Sequence, residues 1–180
     1  MQKIIIIIAL TLLPVLFFGQ SAFDKFDGPE NITSVIVSKK MFQMMGKVES
    51  KDKDAQQYLN LVKKLDNLRV FTTNSNSATA DMKATAEKYI KTAGLEELMR
   101  VNDKGQVIKI MVKSGAKETQ IRELLMFIEG SGKGNETVLM SLTGDFDLNE
   151  ISVLTDKMNL PGGNSLKSAA KGAKGPKGPK

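Results

Sequence analysis

The segment "SLTGDFDLNEISVL" (141–154) crowds Asp145, Asp147, Asn149 and Glu150 together, an oxygen-rich set of the kind a hard cation needs. Read as a calcium loop, Asp145, Asp147 and Asn149 take positions one, three and five, and Asp156 falls at twelve. Position six needs glycine for its sharp turn and holds Glu150, while position eight, usually apolar, holds Ser152. Leu148, Ile151, Leu154 and Met158 keep helical spacing straight through the supposed loop. Asp147 followed three residues later by Glu150 is the layout of a capped helix start, with both charges favourable at the positive end. The segment reads as a structural cap between a last strand, closed at Gly144, and a last helix. No metal is expected there.

Other candidate chemistry is weaker. In "GSGKGN" (130–135), the pair Gly132-Lys133 has Phe127 where a phosphate-binding loop puts its first glycine, and Gly134 where it needs a hydroxyl. A hairpin loop is the better reading. Met41, Met44 and Met45 share helical spacing and could offer soft thioether ligands, but flexible core filler explains them more simply. The chain has neither His nor Cys, so the usual general base and thiol nucleophile are missing. Ser38-Lys39-Lys40 lacks the spacing that lets serine and lysine share a helix face. No catalytic residue, cofactor or metal ligand is assigned, and the absence of Cys excludes a disulfide framework.

The net charge of +6 sits at the ends of the chain. Lys3 lies near the start, and Lys167, Lys171, Lys174, Lys177 and Lys180 near the finish; the remainder balances 20 basic against 20 acidic residues. A neutral body gives no footprint for specific nucleic-acid binding. The tail lysines are possible contacts to an anionic surface, against a bland reading as a solvated tail. Residues 1–20 have the layout of a signal peptide: Lys3, an uncharged run from Ile4 to Phe18, then Gly19 and Gln20. The run is short for a membrane span and broken by Pro14, so no transmembrane helix is expected after cleavage. An uncleaved anchor is the rival reading. Residues 21–160 then form a single domain, and 161–180, rich in Lys, Gly and Pro, a disordered tail.

Within the domain, "NITSVIVS" (31–38) predicts a strand and "KKMFQMM" a short helix ending at Gly46. After "ESKDKD", the residues Ala55, Tyr58, Leu59, Val62 and Leu65 trace one helical face, with Asp54 and Gln57 as a capping pair. "LRVFTT" (68–73) predicts a strand, "NSNS" a turn, and 79–93 a helix burying Met82, Ala86, Tyr89, Ile90 and Ala93 and stopped by Gly94. Asn102-Asp103-Lys104-Gly105 closes a hairpin whose second strand turns Ile108, Ile110 and Val112 inward and Lys109, Met111 and Lys113 to a wetter face. "RELLMFIEG" also fits a helix, but the glycine-rich reversal after it favours a strand paired with "ETVLMSLTG". The fold class is α+β: an antiparallel sheet of about five or six strands with helices packed on one face.

The ordered motifs "SVIVSKKMFQMM", "LVKKLDNLRVFTT", "LMRVNDKGQVIKIMVK" and "SLTGDFDLNEISVL" resemble the domain of unknown function 4252 family, found in envelope proteins of Gram-negative bacteria. The resemblance covers about residues 31 to 158 and implies an exported α+β domain with no assigned activity and no site residues to carry over. The expectation is therefore an exported, non-enzymatic protein of the periplasm or cell envelope, or a secreted one. It would bind or scaffold an envelope protein or an anionic surface, in an oligomeric state the sequence leaves open. The rivals are a hydrolase using carboxylates or a metal, and a binder acting through the basic tail.

Overall fold

A computed structural model describes residues 22–103, 106–117, 119–130, 136–151, 164 and 167. A 3-10 turn (Asp24–Phe26) leads into β1 (Thr33–Ser38), α1 (Lys39–Met45), α2 (Lys53–Val62), β2 (Leu65–Thr73) and α3 (Asn76–Ala93). Then come β3 (Glu96–Asp103), β4 (Gln106–Ser114), β5 (Gln120–Glu129), β6 (Thr137–Asp147) and a 3-10 turn (Leu148–Glu150). The strands form one sheet in the order β1-β2-β6-β5-β4-β3. Every neighbouring pair is antiparallel, so the fold is α+β. Four consecutive strands, β3 to β6, come late in the chain and pair each with the next. The early pair β1–β2 joins them only through β6, which places β1 and β3 at the two edges.

Helices cover both faces of this sheet, a correction to the expectation of one. Leu68, Leu142, Leu124 and Val112 lie level across four strands and pack in a cluster with Phe42 of α1 and Leu61 and Val62 of α2. On the opposite face Phe71, Leu139 and Phe127 lie level and pack with Met82, Ala86 and Tyr89 of α3. Met111, expected on a wetter face, is buried in this second cluster. The signal was the unbroken apolar run Leu124–Ile128, every residue of which is buried. A strand that is sheltered on both sides has no reason to alternate.

Several element boundaries move. Asp52, not Asp54, caps α2, its carboxylate accepting from the Ala55 N–H at 2.8 Å. Leu65 opens β2 instead of ending α2. Asn76 and Ser77 join α3, capped by Ser75. Gly94 terminates α3 with φ +67°, a left-handed conformation that glycine adopts without a Cβ penalty. Gly144 does not close β6, which runs on to Asp147. It lies where a Cβ would stand 2.4 Å from the Lys64 carbonyl oxygen, so β6 can approach the start of β2 only without a side chain. Met41 and Met44, expected as core, are exposed; the two-turn helix α1 buries Phe42 and leaves these methionines turned outward. The Lys104-Gly105 turn, the 131–135 loop, Leu154 and Met158 of the expected last helix, and Lys171 to Lys180 lie outside the described residues. Of the expected tail only Asn164 and Lys167 are described, each in helical conformation.

Candidate functional site

The sheet face beneath α3 carries polar residues where its alternation calls for apolar ones. Glu123 shares its face with Leu125 and Phe127 along β5, and Arg69 shares its face with Phe71 along β2. Across the strands, Asn67, Thr143 and Glu123 lie level, as do Arg69 and Ser141 in an adjacent row. In an antiparallel sheet, level residues point to the same side, so these five side chains form one patch. Tyr89 comes down on it from the buried stripe of α3, and Phe23 of the N-terminal segment packs edge-on against the Tyr89 ring at 4.8 Å. Together they line a cavity of about 90 Å³.

At the centre is a buried acid, with Glu123 only 7% exposed. The Tyr89 hydroxyl donates towards its two oxygens at 2.9 and 3.0 Å. Burial pushes the Glu123 carboxyl above the usual glutamate range, against the opposing pull of the Tyr89 hydrogen bond, the Lys113 charge and the Ser141 hydroxyl. Burial, followed by the adjoining Glu123 carboxylate, likewise holds the Tyr89 phenol well above its ordinary value. Arg69 donates to Asn67 at 3.2 Å and is paired with Asp24, which ties the N-terminal segment to the sheet. Chemically, Glu123 could hold or release one proton. The cavity lining contains no second carboxylate to form the pair that glycoside hydrolysis uses. The cluster's hydrogen bonds join sheet, α3 and N-terminal segment to one another.

The residues singled out in the sequence are placed elsewhere. Asp147 accepts from the Asn149 N–H at 2.8 Å and from the Thr119 hydroxyl at 2.6 Å, while Glu150 accepts from the Asp147 N–H at 3.1 Å, a reciprocal capping box. Burial favours the neutral acid of Asp147, but the hydrogen bonds from Thr119 and Asn149 and the Lys64 charge outweigh it and hold the pKa below the usual aspartate range. Glu150 also pairs with Lys64 at 2.7 Å. Asp145 turns away, to Gln120 and Arg122. These acidic groups diverge to separate protein partners. Of the five tail lysines only Lys167 is described, helical and half-buried.

A second feature is a run of exposed apolar side chains along the chain. All the exposed large hydrophobics among the described residues fall between positions 35 and 48: Val35, Ile36, Met41, Met44 and Val48. Val48 also lines an open groove of about 370 Å³ together with Leu59, Glu49, Ser50, Gln56, Asn60 and Lys63. Sequence reading missed both features. The in-phase placement of Glu123 with Leu125 and Phe127 was a usable signal for the first. For the second, the only hint was that a two-turn helix carries too many apolar residues to bury.

The family described as Domain of unknown function (DUF4252) matches residues 26–154. No curated protein and no solved structure matches the chain.

Proposed function

The chain belongs to the DUF4252 family, and on that premise we propose that it is an exported envelope protein that works by binding, not by catalysis. The observation that carries this reading is the concentration of exposed apolar side chains between Val35 and Val48, on an otherwise well-buried two-faced sheet. Scattered surface apolar residues need no explanation, whereas a local concentration marks a contact surface. Export is supported by the N-terminal sequence, in which Lys3 and the uncharged apolar run to Phe18 have the layout of a signal peptide. Among the described residues no helix is long and apolar enough to cross a membrane.

Chemical crosslinking in intact cells, followed by affinity capture from the envelope, tests the binding role. A discrete adduct that disappears in Met44→Lys or Val48→Lys supports it. Adducts indifferent to both substitutions refute it. Cell fractionation tests export, which is refuted by unprocessed chain accumulating in the cytosol. The rival hydrolase reading rests on Glu123 and has its own check: any hydrolytic activity of the purified protein should vanish in Glu123→Gln.

A further inference from the structure

We propose that the occupant of this surface is a second copy of the chain, joined by antiparallel pairing of β1 with β1 into one continuous sheet; the proposal rests on the binding role above. The two edges of the sheet differ in how they are guarded. β3 exposes Glu96, Glu97 and Arg100 and carries a bulge between Glu97 and Met99, devices that discourage strand addition. β1, Thr33–Ser38, has no charge, no proline and an unbroken register with β2. Val35 lies level with Val70, on the side of α1, and Ile36 lies level with Arg69, on the side of α3. Both side chains are exposed, so a strand laid along β1 would cover apolar surface above and below the sheet at once.

Charge and closure select a second copy as that strand. The chain enters β1 past the exposed acids Asp27 and Glu30 and leaves it through the exposed bases Lys39 and Lys40. An antiparallel copy sets the acidic end of one strand beside the basic end of the other, whereas a parallel copy would align like charges. A β1–β1 contact is isologous and closes on itself. Both unguarded edges are consumed, and the doubled sheet presents only guarded β3 edges. Pairing β1 with β3 would instead continue without limit, against the charges on β3.

Analytical ultracentrifugation of the protein purified after expression and processing of the full chain tests this. The expected result is a reversible dimer whose dissociation constant rises by about tenfold or more in Val35→Lys and Ile36→Lys, because each puts two lysines near one two-fold axis. Both positions are exposed, so unchanged circular dichroism and melting temperature would show the variants folded. The chain has no Cys, so single cysteines at positions 34 to 37 can read the register. A disulfide-linked dimer peaking at one of them, and none at Arg100→Cys, supports β1–β1 pairing. A monomer at all concentrations overturns it, as does a dimer indifferent to Ile36→Lys. A monomeric wild type whose envelope adduct is lost in Ile36→Lys overturns the pairing and leaves the binding role standing. A monomeric wild type with no such adduct overturns both.

Discussion

Two carboxyl groups in this protein are displaced in opposite directions by their surroundings, and the pH dependence of stability should separate them. Glu123 sits above the usual range, so the folded state keeps its proton where the unfolded chain has lost it. Its contribution is full below the ordinary glutamate value and is lost as pH rises through the raised one. Glu123→Gln should remove that decline, measured as a flatter dependence of urea unfolding on pH from the acid side towards neutrality. Asp147 sits below its usual range, so its contribution is full above the ordinary aspartate value and is lost as pH falls through the depressed one. Asp147→Ala should therefore cost about 1 kcal/mol at neutral pH and progressively less in acid. The Asp147–Glu150 spacing was legible because a cap is local. Glu123 was not, because a buried acid is recognised only once the strands that shelter it are in register.

At the scale of elements, the strands and helices could be read in order, while their ends and faces depended on tertiary contacts. Leu65 fits the apolar face of α2 and the first position of β2 equally well, and its pairing level with Gly144 decides for the strand. That pairing makes Gly144 a demanding position. Gly144→Ala should destabilise the fold by roughly 1–3 kcal/mol in denaturant titrations, because the added methyl meets the Lys64 backbone and not a side chain that can move. Gly94→Ala meets no neighbouring atom and should cost only the left-handed backbone penalty, about 1–2 kcal/mol. Burial on both faces was hidden for a related reason. The periodicity of β4, with lysines at 109 and 113, reads as half-exposed, yet Met111 is buried in the cluster that includes residues of α3 and the N-terminal segment.

Across the whole molecule, the N-terminal segment and β1 connect the fold to its proposed setting. Phe23 and Phe26 are each 1% exposed and pack against Tyr89 and Phe71, so they belong to the folded core. The mature N-terminus should accordingly lie before Phe23, which the intact mass of protein recovered from the envelope will show. The body of the sequence is neutral, and among the described residues the exposed large hydrophobic side chains fall between Val35 and Val48. Site-specific photo-crosslinking in living cells tests the binding role most directly, with a reactive residue placed at Ile36 or Met44 and, as a control, at Arg100 on the guarded edge. The expected result is a discrete adduct from Ile36 and Met44, at the mass of two chains if β1 pairs with itself, and none from Arg100. Adducts from all three positions alike, or from Arg100 alone, would contradict a binding role for this surface.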